Sequence, residues 1–558
     1  MSTDGALPNP PEIQSGVVSS RPLPRWIKGI ALVLILLGIG LRCTNLDLKP
    51  FWEDEVYTIT RTAGYQRTTL EKQLNQKLVT VGDLQRYRNP GSGQSWLETG
   101  RALASAAEHT PLYFLLLRPW TQIAGTSVAA VRFLSVVFSI IGLGVCYLLG
   151  RSLFPDDGVA GDAAGWGATT LSALSPMLLR YSQEARPYSL WLIFVGLSIW
   201  TLLRAWRSSK DSFNKKAWAL YGVTLVLAFY TQLLTVLVIF AQGAGLVIYG
   251  VMKGNWAQRV LKHWGLTTLI SLVFMGPWVA LVALRRTSVG YATNWLKESL
   301  PFATLIRRWG TGFSYTWLDF PKGTRVLWPL ATVALLTGVA IATVYLWRQT
   351  RHRNAPEHQR DGIVTLFSST FIPALIIVLM DVVLGGRRST VSRYVIPAYL
   401  GLVTLTGTSL SLALAGKIGQ GKLRVKTIAV GAIATVLVVV SGVSSVQLTQ
   451  ANTWWGLSKN INTMAAAISD APQAVVVSDR RIGLALELAF HLPDNREIWW
   501  TKQQEGESPE LPEELKNRPI ALFSPSDELK AAIAQGRDLP EDPNYSANQG
   551  TLWLLPPP

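Results

Sequence analysis

The sequence predicts a polytopic α-helical membrane protein with a large first outer loop and a small C-terminal α/β domain, and three observations carry the prediction. Of the 558 residues 49% are hydrophobic and only 16% are charged, a balance too apolar for an ordinary soluble chain of this length. Apolar runs of about 20 residues, the length that crosses a hydrocarbon core, recur along most of the sequence, with short Lys/Arg clusters between them. From about residue 450 onward the pattern changes to short β-branched runs alternating with amphipathic stretches.

The first run, 27–41, follows a Pro/Ser-rich polar start and Arg21, Arg25 and Lys28, and shows no small-residue cleavage pattern. It reads as a retained first span, with 1–26 as a cytoplasmic tail. Eleven spans are expected in all, near 27–43, 128–150, 160–180, 187–206, 217–232, 233–252, 264–284, 326–347, 363–384, 394–415 and 427–447. The stretch "HTPLYFLLLRPWTQIAG" at 109–125 is too short to cross and carries Arg118 and Pro119, so it reads as an interfacial or re-entrant helix. With that parity four basic clusters lie inside, as cytoplasmic Lys/Arg bias requires. They begin at Arg204, Lys253, Arg348 and Lys417.

The outer side then receives a first loop of about 44–127, the turn 180–189, the corner 229–234, the loop 285–325, the segment "GGRRSTVSR" at 385–393 and the region 450–558. In that last region "AVVVSD", "RRIGLALELAFHL", "REIWW" and "PIALFSPSDELKAAIAQ" alternate strand with helix. The formal charge of +17 sits in the short clusters between spans, which assigns it to membrane orientation rather than to nucleic acid. The two cysteines, Cys43 and Cys146, belong near opposite ends of their helices, which argues against a disulfide, and there is no Cys/His metal spacing. Gly142/Gly144 and Gly243/Gly245 lie inside spans and read as helix-packing positions.

Three outer features place polar groups beside hydrocarbon. Asp54 and Glu55, in "FWEDEVYT", follow the first span closely. Paired carboxylates suit general-base work or cation binding, and a solvated charged loop is the plain alternative. Glu184 and Arg186, in "LLRYSQEARPYSL" beside Tyr181 and Tyr188, either form a satisfied ion pair or hold a hydroxyl or phosphate. Arg387, Arg388 and Arg393 run against the charge bias and suit either anionic lipid or a substrate phosphate. His109 in "EHTPLY" is a turn residue or a site residue.

Taken in order, "PFWEDEVYT", "HTPLYFLLLRPW", "VRFLSVVFSIIGLGVCYLLGRSLF", "LSPMLLRYSQEARPYSLWL", "YTQLL" and "SRYVIPAYLGLV" resemble the bacterial relatives of protein O-mannosyltransferases, the family 39 or PMT-type glycosyltransferases with the GT-C fold. The resemblance covers roughly the first 250 residues well and the later spans weakly. It implies an integral plasma-membrane enzyme that takes a sugar from a polyprenyl-phosphate donor on the outer face and transfers it, with inversion, to a glycan, lipid or protein. The family's Asp-Glu pair maps to Asp54, the base, and Glu55; its His-Pro element maps to His109, Thr110 and Pro111 with the middle position changed. Its second acidic element maps to Glu184, beside Arg186 and Tyr188, and Arg387, Arg388, Arg393 or Arg186 would meet the phosphate. A base beside apolar surface is expected to have a raised pKa. Residues 65–108, with Leu70, Leu74, Leu78 and Leu84, suit the family's amphipathic loop helices. No cofactor is implied with certainty, and a divalent cation at Glu55 and Glu184 stays open.

Two rival functions remain at this level. A transporter or flippase of lipid-linked glycans would place charge in mid-span, for which Asp381 is the main candidate, and would show two similar halves, which the sequence does not. A non-catalytic membrane scaffold would leave the Asp-Glu pair without a role.

Overall fold

A computed structural model describes residues 22–209, 213–253, 256–319, 357–415, 423–502, 509–547 and 550–558. Ten of the eleven expected spans fall on its helices, and the run near 326–347 lies outside the described residues. Seven described helices are long and apolar enough to cross a membrane. The run 160–180 is divided at Ser175, where Pro176 opens a new helix and the Ser175 hydroxyl accepts the Leu178 N–H.

Close helix crossings are made by glycine. The helices Gly158–Leu174 and Ile396–Leu414 meet at Gly167 and Gly407, where any Cβ would collide with the opposing backbone. Buried arginines do the corresponding work at the loops. Arg42, at the end of the first span (Arg25–Cys43), donates to Ser139 Oγ and to the carbonyls of Gly38, Ala173 and Ser172. Gln183 then caps that span by donating its amide to the carbonyls of Leu41, Arg42 and Thr44.

The stretch after His109 forms the 13-residue helix Leu112–Ala124, about 20 Å long at 1.5 Å per residue and so too short to cross. Its Arg118 is buried and ties the first loop together by donating to the carbonyls of Thr62, Pro90 and Gln94 and to Thr99 Oγ1.

The C-terminal region folds as α/β around one six-stranded sheet of order β1-β3-β2-β4-β6-β5. Strand β1 is Lys77–Thr80 of the first loop, whereas β2 (Val475–Ser478), β3 (Glu497–Trp500), β4 (Ile520–Phe523), β5 (Tyr545–Ala547) and β6 (Gly550–Leu555) follow the last span. The central β3, β2 and β4 are parallel, and β1 joins antiparallel to β3 with Leu78 opposite Trp499. The expectation of helices throughout 65–108 is thus corrected. Leu70 and Leu74 lie on the helix Arg67–Leu74, but Leu78 is on a strand, because its alternating neighbours fit the edge that β3 leaves open.

Candidate active site

The acidic turn lies on the helix Glu53–Thr62, which begins three residues past Pro50 with Trp52 at its cap and no side chain of its own capping it. Glu53, Asp54 and Glu55 fill the first turn, where carboxylates meet the positive end of the helix dipole. Adjacent residues on a helix point about 100° apart, so the three acids enter three different environments.

Glu55 is fully buried. Arg132, on the span Val128–Ser152, donates to both of its oxygens at 2.9 and 2.6 Å, and the Ala185 N–H donates to Oε1 at 2.7 Å. The same guanidinium donates to the carbonyls of Leu46, Lys49 and Pro50. Glu55 and Arg132 therefore form a strut that fixes the approach to the acidic helix. Full burial pushes the Glu55 carboxyl up, against Arg132 and the Ala185 N–H.

Asp54 is the opposite case. Among the described residues no hydrogen bond reaches either carboxylate oxygen; Arg186 lies 3.6 Å away and Arg393 3.9 Å away, beyond hydrogen-bonding distance. Arg186 instead donates to the Asp54 carbonyl and to Thr58 Oγ1, and its Nε, buried, has no partner among the described residues. Burial pushes the Asp54 carboxyl up, but Arg186, Arg393, Arg61 and Arg481 outweigh it and hold the group below its ordinary value. The raised pKa expected from apolar surroundings is not found, because the walls around Asp54 are cationic.

Two more residues belong to this cluster. Arg61, seven positions beyond Asp54 on the same helix face, is 8% exposed, and its guanidinium makes no hydrogen bond or ion pair among the described residues; it lies over the Tyr57 ring at 5.1 Å. Sequence reasoning missed it, although Asp54, Thr58 and Arg61 share i, i+4, i+7 spacing. His109 is held well below its ordinary pKa by burial and then by Arg61, Arg186 and Arg393, and so stands as a neutral imidazole, 3.8 Å from Glu108. Three guanidiniums, Arg61, Arg186 and Arg393, thus face two carboxylates, Asp54 and Glu108, which leaves one formal positive charge in excess. Tyr188 lines the same wall, its ring 5.7 Å from the Arg186 guanidinium and edge-on to Tyr181.

The remaining expected site residues are engaged elsewhere. Glu184 pairs with Arg180 at 2.7 Å rather than with Arg186. Arg387 pairs with Glu298, and Arg388 with Asp381. Asp381, the transporter candidate, also accepts the Ser389 N–H and hydroxyl and so organises the turn that follows the helix Glu357–Leu384. Of the three arginines in "GGRRSTVSR" only Arg393 pairs with Asp54. The donor set does not fit a divalent cation: guanidiniums surround Asp54, Glu55 and Glu184, and among the described residues no three His, Cys, Asp or Glu groups come together as metal ligands.

An apolar groove lined by Trp26, Ile30, Trp166 and Leu414 opens beside the start of the first span. Asp54 follows the other end of that 19-residue helix and does not line the groove.

Residues 108–280 match the family model described as dolichyl-phosphate-mannose-protein mannosyltransferase. No curated protein sequence matches. Among solved structures, ArnT from Cupriavidus metallidurans, crystallised with undecaprenyl phosphate, is similar at 12% identity and a TM-score of 0.52, over 94% of this chain and 98% of that one. The Archaeoglobus fulgidus oligosaccharyltransferase matches at 13% identity and a TM-score of 0.48, and this chain spans only 61% of its length. The family match takes in the juxtamembrane helix and the next spans, and the chain shares the fold of ArnT over nearly the full length of both.

Proposed function

We propose that the protein transfers a sugar from a polyprenyl-phosphate donor to an acceptor hydroxyl on the outer face of the plasma membrane, with inversion and with Asp54 as general base. The observation that carries this reading is Asp54, a half-buried carboxylate with both oxygens free of hydrogen bonds among the described residues, flanked by the guanidiniums of Arg186 and Arg393 at 3.6 and 3.9 Å. The family match and the undecaprenyl phosphate bound by ArnT support the donor class.

The chemistry follows from charge. As the acceptor oxygen attacks the anomeric carbon, its proton passes to Asp54, and the bond to the phosphate oxygen breaks on the opposite side. The leaving phosphate gains negative charge, which Arg186, Arg393 and Arg61 meet without reorganising solvent. Neutralising the arginines in this way removes the field that depresses the Asp54 pKa, so the base strengthens as the leaving group forms. Neutral His109 is available to hydrogen-bond a sugar or acceptor hydroxyl. Glu55 and Glu184 act through Arg132 and Arg180, as supports. The Lys/Arg clusters lie on the cytoplasmic side and the α/β domain on the outer side.

The test is sugar release from a panel of labelled polyprenyl-phosphate sugars by full-length protein in lipid. Wild-type turnover of one donor, lost in Asp54→Asn, is the expected result; equal turnover by both proteins would remove Asp54 as the base.

A further inference from the structure

The helix that carries Asp54 has no cap of its own, and its cap comes from the far end of the chain. Glu487, 1% exposed on the helix Ile482–Ala489, accepts the Glu53 N–H at 2.9 Å. Two residues earlier, the Phe51 N–H donates to Nε2 of His491 at 3.2 Å, and Nδ1 of that ring donates to the Glu487 carbonyl at 2.7 Å. The two bonds fix the His491 tautomer, with the proton on Nδ1. One turn into the acidic helix, the Gly483 N–H donates to Tyr57 Oη at 3.2 Å. A Cβ on Gly483 would fall 2.6 Å from the Tyr57 ring, so that approach requires glycine. Arg481 adds an ion pair to Glu53 at 3.0 Å.

These contacts serve orphan donors at a helix start, which a helix otherwise satisfies locally. We infer that Glu487 is a positioning residue: the helix Ile482–Ala489 caps the acidic helix in trans, with Gly483 giving the close approach, and thereby sets the direction in which Asp54 points. The C-terminal domain is then part of the active site, although none of its residues need touch the sugar. The inference rests on the role proposed for Asp54, but the clamp itself can be measured without turnover.

Three full-length variants in lipid test it, read by amide hydrogen exchange over residues 51–58 and by kcat and KM for the donor. Glu487→Gln keeps an accepting oxygen and should match wild type in both. Glu487→Leu should exchange roughly tenfold faster at these amides, the scale of one lost hydrogen bond, and should lose kcat by one to two powers of ten with little change in KM, as misplacement of a reacting group does. Gly483→Ala provides an independent arm, since alanine favours its own helix while its methyl displaces Tyr57; it should behave like Glu487→Leu even if that variant folds poorly. Unchanged exchange in Glu487→Leu and Gly483→Ala would overturn the clamp. Faster exchange with undiminished kcat would overturn the positioning role. Were wild type to turn over no donor, the proposed function would fail, and the exchange measurement alone would decide the clamp.

Discussion

Asp54 and Glu55 are neighbours in sequence and opposites in structure. Glu55 has both oxygens filled by Arg132 and the Ala185 N–H, while Asp54 has neither filled and two guanidiniums waiting just out of hydrogen-bonding range. A fully paired buried carboxylate gains geometry and loses reactivity, because every lone pair is committed. One that faces cations without accepting hydrogen bonds from them keeps its lone pairs and its charge, which is what a base and its electrostatic partners would require. The turn thus sets a fully hydrogen-bonded carboxylate and one without hydrogen bonds a single residue step apart on a helix.

The sharpest way to break this comparison is on activity. Asp54→Asn should lower sugar release by about 10² to 10⁴-fold, the usual worth of a general base, with only a small fall in melting temperature at neutral pH. Glu55→Ala should show the reverse order of effects: removing one partner of a buried pair costs about 3–5 kcal/mol, read as a loss of folded protein in thermal unfolding before any kinetic effect is considered. Equal behaviour of the two variants in both assays would refute the division.

The cations come next. Arg61→Ala and Arg393→Ala should each weaken donor binding by about 1.5–3 kcal/mol, the range of a charged hydrogen bond, measured as a rise in KM for the polyprenyl-phosphate sugar. Arg387→Gln should change it by less than about 1 kcal/mol, since its partner Glu298 is largely solvent-exposed. A larger effect of Arg387 than of Arg393 would place the phosphate elsewhere.

The smallest expected effect concerns pH. The folded-state pKa of Asp54 is depressed, so the stabilisation it brings is complete above the ordinary carboxylate pKa of about 3.9 and is lost as pH falls through the lower folded value. Wild type should therefore lose thermal stability more steeply than Asp54→Asn below about pH 4. Parallel curves would show that the arginines do not act on Asp54.

Much of this was legible in the sequence. Apolar period and length located the spans that fall on described helices, and the acids after the first one pointed to the candidate site. Local spacing also holds Arg61, one face along from Asp54. The partners of the acids were not legible, because they depend on folding at long range: Arg132 is 77 residues from Glu55 and Glu487 is 434 from Glu53. The arginines of "GGRRSTVSR" look alike in sequence, and only the turn held by Asp381 decides that Arg393, not Arg388, meets Asp54. Leu78 carried a helical pattern that an open sheet edge overrode.

That edge has a consequence for how the protein is made. Lys77 pairs with Trp500, so the first loop leaves the ribosome long before its neighbouring strand has been synthesised. At roughly 5–20 residues per second the wait is tens of seconds, during which β1 and the acidic helix lack their final partners. Assembly of the acidic turn is therefore among the last events of biogenesis, and a chain cut short by its final hundred residues would keep the long helix that ends at Gln450 yet lack Glu487 and His491, which hold the start of the acidic helix.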